Sequence, residues 1–313
     1  PNGISLLDQC GTCDDDASND CVQDCIGVWG GTAVIDECGD CNGNNVSCSG
    51  CMDLEASNYD ATAIIDDGSC SGFPSTGNYS IDFDDVDDWI EIPNHESLNM
   101  TDEISISSWV KLRPETGNAD SGPYSTTRFM IAEKSYQNTG WFLAIDNSDN
   151  LNHNLLFAVS NVGGTVSTIS FPDGELVHVA GTYSSENGVR VYINGIDYSY
   201  QYNIDGENDF ITNSDVSLSI NSCRWCSEPI TEKSIDELKI WDVELSSEEI
   251  YSEFLGENEF DNYSLKANWK FNEGSGEILY DQSGNQNHGT IYGDPEWILR
   301  TVDPCCYDAE NDA

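Results

Sequence analysis

The chain has 313 residues, with 57 Asp and Glu against 11 Lys and Arg, for a formal net charge of −46. Such a deficit of cations excludes nucleic-acid binding through phosphate neutralisation and docking on an anionic membrane surface. Hydrophobic residues are 38% and aromatics 10%, enough for a packed core, while no apolar run approaches the ~20 residues of a membrane helix, so no membrane insertion is expected. The opening Pro1-Asn2-Gly3-Ile4 carries no basic start or apolar stretch; it reads as a mature form or a piece of a longer chain.

Residues 1–71 come first as a cysteine-rich acidic stalk. Nine of the 13 cysteines lie here: Cys10, Cys13, Cys21, Cys25, Cys38, Cys41, Cys48, Cys51 and Cys70. Such density in a segment poor in apolar residues is how small secreted modules replace a core with cross-links. Cys10-Gly11-Thr12-Cys13 and Cys38-Gly39-Asp40-Cys41 also have metal-knuckle spacing, which keeps zinc open as the rival to disulfides. The crowding of Asp and the sequons favour disulfides. Those sequons make Asn45, Asn78, Asn99 and Asn262 candidate glycosylation sites. An internal repeat is visible, because Cys10, Cys13 and Cys21 recur as Cys38, Cys41 and Cys48 at offsets of 28, 28 and 27. Units too apolar-poor to fold alone suggest a stacked rod. The expected location is extracellular or at the cell surface.

The stretch Gly50-Cys51-Met52-Asp53, continuing through Asn58-Tyr59-Asp60 to Asp66-Asp67-Gly68-Ser69-Cys70, resembles repeats in large surface proteins of marine microbes. The first repeat departs from that pattern at Trp29, where a cysteine is expected. Beside this resemblance we expect pairs Cys51–Cys70 and Cys41–Cys48 and leave the rest open. Nine is odd, so one thiol pairs outside the segment or stays free. The many Asp and Asn residues suit Ca²⁺, which takes 6–8 oxygens, and at least one calcium ion is expected in the chain.

From Tyr79 the texture becomes short β-branched and aromatic runs between Gly, Asn, Asp and Ser turns. Strands are expected at Tyr79–Phe83, Trp89–Ile92, Ile104–Leu112, Phe129–Glu133, Trp141–Ile145, Leu155–Val159 and Thr165–Ile169. More follow at Leu176–Tyr183, Val189–Ile193, Val216–Ile220, Ile235–Trp241 and Leu265–Phe271. Asn194-Gly195 marks a hairpin. One short helix is expected at Ser247–Phe254, opened by a capping box of Ser246 and Glu249. A dozen strands with almost no helix predict an all-β, antiparallel β-sandwich over residues 76–300, with a tail at 301–313.

Five motifs occur in order: Phe83-Asp84-Asp85 with Trp89-Ile90-Glu91-Ile92, Ile104–Lys111, Glu175–Tyr183, Val191–Gly195, and Ser234–Trp241 followed by Leu245–Ile250. Together they resemble laminin-G-like, concanavalin A-like jelly rolls. The resemblance implies one Ca²⁺ between the first strand and the late Ile-Asp-Glu strand, with Asp84 and Asp236 as ligands, Asp85 a weaker one and Asp281 a further possibility. Trp269–Gly276 and Asp281–Trp297 resemble a segment often found at the front of such domains; lying behind, it is expected to close the same sandwich.

Glycoside hydrolases of this fold carry Glu-x-Asp-x-x-Glu, which is absent from the sequence. His95, His153, His178 and His288 fit no zinc pattern, and His178 reads as a packed, hydrogen-bonded core residue. The chain is therefore read as non-enzymatic. Tyr198, Tyr200 and Tyr202 alternate and would line one face of a strand, and Trp225 sits in a loop tied by Cys223 and Cys226. These aromatics are candidate glycan contacts, with edge packing the plainer reading. The function expected is adhesion or self-assembly in a calcium-stabilised surface or filament protein, with other extracellular subunits or polysaccharide as partners. The alternatives are a lectin module and a divergent glycoside hydrolase.

Overall fold

The computed structural model describes residues 6–7, 13–14, 21–83, 87–112, 128–136, 139–146, 153–172, 174–202, 210–213, 215–222, 233–257 and 264–300. It divides into two compact units, Pro1–Gly72 and Phe73–Ala313.

In the first unit, β1 (Leu6–Leu7) pairs with β2 (Cys13–Asp14), Leu7 opposite Cys13. The same bridge recurs as Gln23 opposite Trp29 and Ile35 opposite Cys41. The repeat is therefore threefold, stepping from residue 7 to 23 to 35, where the sequence shows two copies. Trp29 stands in the place of Cys13 and Cys41. A single carboxylate holds each of the later loops. Asp24 accepts from the Val28 N–H at 2.8 Å and the Ala33 N–H at 3.3 Å. Asp36 accepts from the Asp40 and Asn45 N–H groups, both at 2.8 Å. Those donors hold the Asp36 carboxyl below its usual range, the Asn45 bond foremost. Glycine is required beside each: a Cβ on Gly31 would lie 1.9 Å from Asp24 Oδ2, and one on Gly43 2.1 Å from Asp36 Oδ2.

Disulfides join Cys25 to Cys41, Cys38 to Cys48 and Cys51 to Cys70. The expected Cys41–Cys48 pair is thus corrected. Successive loops bring their cysteines together, so Cys41 meets Cys25 of the preceding loop rather than its nearer neighbour in sequence. Cys38 and Cys41 are both oxidised and form no zinc knuckle. A short parallel pair, β3 (Ser49–Gly50) with β4 (Ile65–Asp66), completes the unit.

The second unit is two antiparallel sheets. Its strands are β5 (Tyr79–Phe83), β6 (Trp89–Ile92), β7 (Ile104–Leu112), β8 (Arg128–Tyr136), β9 (Thr139–Asp146), β10 (Asn154–Val159), β11 (Gly163–Ser170), β12 (Val177–Ser184) and β13 (Gly188–Ile193). Then come β14 (Ile196–Asp197), β15 (Ser199–Tyr202), β16 (Leu218–Ile220), β17 (Lys233–Trp241), helix α1 (Ser247–Leu255), β18 (Leu265–Trp269), β19 (Ile278–Leu279), β20 (Gly289–Tyr292) and β21 (Glu296–Leu299). One sheet has nine strands in the order β15-β11-β10-β9-β8-β16-β6-β20-β19. The other runs β14-β13-β12-β7-β17-β5-β21, with β18 on β17. The alternating inward residues of both, among them Ile81, Ile90, Ile106, Trp141, Phe157 and Ile240, make one core. The turn between β13 and β14 uses Asn194 and Gly195 at φ 49° and 76°, the left-handed pair a tight hairpin needs.

The segment behind α1 closes this same sandwich. β18 pairs with β17, β20 with β6 and β21 with β5, which buries Trp269, Phe271 and Ile291. Helix α1 carries the expected capping box. It lies on the outer face of the eight-stranded sheet, where Ile250 and Leu245 meet Ala180, Tyr192 and Trp241. A buried ion pair, Lys239 Nζ to Glu253 Oε1 at 2.5 Å, fastens it. His178 is packed there against Trp109 and Phe254. Its ring makes no hydrogen bond, contrary to expectation, because apolar rings surround it. Burial, with Lys239 adding to it, pushes the imidazole down to about 3, so it stays neutral.

Candidate functional site

Alternation along β6, β16 and β20 sends Ile90, Ile92, Leu218, Ile220 and Ile291 into the core, and Trp89, Glu91, Ser219, Thr290 and Tyr292 to the outer face of the nine-stranded sheet. Tyr292 is directly opposite Trp89 across the β20–β6 ladder. Their rings stack at 4.6 Å with an interplanar angle of 14°, the close offset contact aromatic pairs favour. Tyr292 is 40% exposed. Glu91 lies beside them: one carboxylate oxygen accepts from Ser217 Oγ at 2.6 Å, the other from Tyr292 OH at 3.5 Å. Stacking uses one face of each ring on the other, so the pair offers the exposed Tyr292 ring, braced by Trp89, and beside it a carboxylate with capacity to accept more hydroxyl protons.

The pair is held from behind. Asp88 is buried, and its carboxylate accepts from the Asp294 N–H at 3.0 Å, pinning the turn after β20 to the start of β6. Gly293, at φ 79°, permits this approach, since a Cβ there would sit 2.2 Å from Asp88 Oδ1. Asn221 donates to the Asp88 carbonyl at 2.7 Å and accepts from Lys233 Nζ. Burial pushes the Lys233 ammonium down to about 7.

Glu133 shares the outer face, across β16 from Glu91, with Ser219 between them. Two strand spacings put their Cα atoms about 9–10 Å apart. Glu133 is fully buried, and Ser135 Oγ donates to it at 2.7 Å. Ala144, Leu156 and Met130 on the same face are also buried, so the accessible parts of the face lie toward its ends.

The expected tyrosine platform divides. The chain leaves the eight-stranded sheet after β14 and enters the nine-stranded sheet at β15. Tyr198 falls at that crossing and packs against the core, whereas Tyr200 is 63% exposed on β15. Strict alternation holds only within one sheet, and here the chain changes sheets. The Tyr202 side chain, Trp225, Cys223, Cys226, Asn262, Asp84 and Asp85 lie outside the described residues. Among the sequons, Asn45 uses its side-chain oxygen to accept the Glu37 N–H at 2.9 Å, and Asn78 and Asn99 are half-buried.

The described carboxylates carried over for calcium do not fit a cation. Asp236 is 1% exposed; Oδ1 accepts from the Glu237 N–H at 2.9 Å and Oδ2 pairs with Arg300 Nη1. Burial pushes its carboxyl well up, with Arg300 opposing. Asp281 is fully buried and accepts from the Asn268, Ser283 and Asn287 N–H groups and from Ser283 Oγ, at 2.7–3.0 Å. Both oxygens of each are engaged, and Asp281 is the bracket of its own loop. Among the described residues no group of three or more His, Cys, Asp or Glu could hold a metal ion.

Sequence reasoning passed over Trp89 and Tyr292, because 203 positions separate them and neither sits in an aromatic run. The alternation Trp89-Ile90-Glu91-Ile92 was the available signal, since it puts Trp89 and Glu91 on the polar side.

Residues 84–251 match the family model described as the concanavalin A-like lectin/glucanases superfamily. No curated protein matches the chain. Among solved structures, a candidate carbohydrate-binding protein from Bacteroides ovatus is 16% identical, over 80% of this chain and 71% of that one, with a TM-score of 0.53. That likeness shows the shared fold. A heptameric SAP-like pentraxin from Limulus polyphemus is 13% identical, over 56% of this chain and 81% of that one, with a TM-score of 0.42.

Proposed function

The chain belongs to the concanavalin A-like lectin/glucanases superfamily, and on that premise we propose that it is a non-enzymatic carbohydrate-binding module presented outside the cell. The observation that carries this reading is the stacked Trp89–Tyr292 pair beside Glu91 on the outer face of the nine-stranded sheet. The apolar face of a sugar ring would stack on the Tyr292 face turned away from Trp89, and the carboxylate would accept from its hydroxyls. A chain at −46 repels polyanions, so the ligand is a neutral or amino-sugar polysaccharide rather than a sulfated or uronic one. The extracellular setting is supported by the three disulfides of the first unit. Adhesion to a glycan surface is the role that joins the two units of the chain.

A hydrolytic reading would use Glu91 and Glu133, which share a face at a spacing within reach of an inverting pair. We disfavour it because Glu133 is buried and held by Ser135. Affinity electrophoresis against neutral, amino-sugar and sulfated polysaccharides tests the proposal. Retardation by one of the first two, weakened roughly tenfold by Trp89→Ala and unchanged by Tyr200→Ala, is the expected result. Uniform absence of retardation, or retardation abolished by Tyr200→Ala alone, overturns it. Release of reducing ends, lost in Glu91→Gln, would establish the hydrolase instead.

A further inference from the structure

We propose that Arg300 is the built-in counter-cation of the sandwich, delivered by the last strand to neutralise a carboxylate that a divalent ion would otherwise have to hold. Asp236 lies in β17 at a bulge: it is opposite Trp109, and the next β7 pairing is Lys239 with Ser107. The extra residue is accommodated by Glu237 in a left-handed conformation, φ 48°, an uncommon state for glutamate. This kink leaves Asp236 in a dry position, 1% exposed, with Ser108 Oγ donating to its backbone carbonyl at 2.9 Å. The bulge N–H of Glu237 donates to its Oδ1, but one neutral donor does not balance a buried charge.

Arg300 supplies the balance. The β21–β5 ladder runs to Leu299 opposite Tyr79, and the Arg300 N–H continues it by donating to the Asn78 carbonyl at 2.8 Å. Backbone pairing thus fixes where the side chain starts. From there the guanidinium reaches beyond β5, the strand β21 pairs with, to Asp236 on β17. Side-chain exposure is 9% for Arg300 and 2% for Asp236, so the pair is desolvated rather than a surface contact. One residue therefore fastens three adjacent strands of the eight-stranded sheet, in a chain with only 11 Lys and Arg. The consequence is a sandwich whose cohesion at Asp236 does not depend on a bound metal.

The test is thermal melting of the full chain as wild type, Arg300→Gln, Asp236→Asn and the double variant, each with and without EDTA. Arg300→Gln leaves a buried charge alone and is expected to lower the Tm by on the order of 10 °C, or to prevent folding. The double variant removes the charge as well and is expected to recover most of that loss. Wild-type melting is expected to be unchanged by EDTA. Two results overturn the proposal: a double variant no more stable than Arg300→Gln, or an EDTA-induced fall in wild type that disappears in Asp236→Asn.

Discussion

The two units of this chain reach order by opposite means. In residues 21–70 the buried apolar residues are Cys51, Ala56 and Cys70, while Val22, Ile26, Val34, Ile35, Val46, Leu54 and Ile64 are all more than 60% exposed. The sandwich buries several dozen apolar side chains in one continuous core. The first unit substitutes covalent loops, each worth about 3 kcal/mol in the chain-entropy view, and carboxylates that tie their own backbone. What the difference teaches is that acidic residues do two jobs in one chain. In the first unit Asp24 and Asp36 are structural acceptors near water, whereas Asp236 and Glu253 are buried charges that must each be given a cation.

Reduction is the largest expected break in this symmetry. With excess dithiothreitol, hydrogen exchange should show the amides of 21–70 losing protection while those of β7, β12 and β17 keep theirs; loss in both would mean the sandwich also leans on cross-links. Next in size, Glu253→Ala strands Lys239 under α1 and should cost about 3–5 kcal/mol in chemical denaturation, with no effect on the amides of 21–70. Gly43→Ala should instead loosen one loop of the first unit, seen as faster exchange at Asp40 and Asn45, and leave the melting of the sandwich unchanged. The smallest effect concerns Glu273, which is buried, accepts from the Tyr280 N–H at 2.9 Å and is pushed up to about 7 by burial. A carboxyl raised in the folded state contributes stability that is full below its unfolded value of 4.5 and is lost as pH rises through about 7. Glu273→Gln should flatten the pH dependence of stability between those limits, by about 3 kcal/mol at most. An unchanged slope would show that Glu273 is ionised at little cost.

Much of the sandwich was legible because its strands obey a period of two. Ile104, Ile106, Val110 and Leu112 announced β7, and Ser246 with Glu249 announced α1. Legibility failed where a rule was local and the structure was not. Alternation grouped Tyr198 with Tyr200, but the chain changes sheets between β14 and β15. The sequence reading paired Cys41 with Cys48, but the preceding loop presented Cys25. The binding candidate Trp89–Tyr292 could not be seen in advance, because ladder register across β6 and β20 is set by the whole sheet.

By itself, the amino-acid order determined the β-sandwich and the cross-linked character of the first unit, since side-chain periodicity and cysteine density act over a few residues. Only the tertiary structure decided which cysteines join, which aromatics meet and which cation answers Asp236. Those outcomes depend on strands brought together from distant parts of the chain, and short-range preference carries no information about such neighbours.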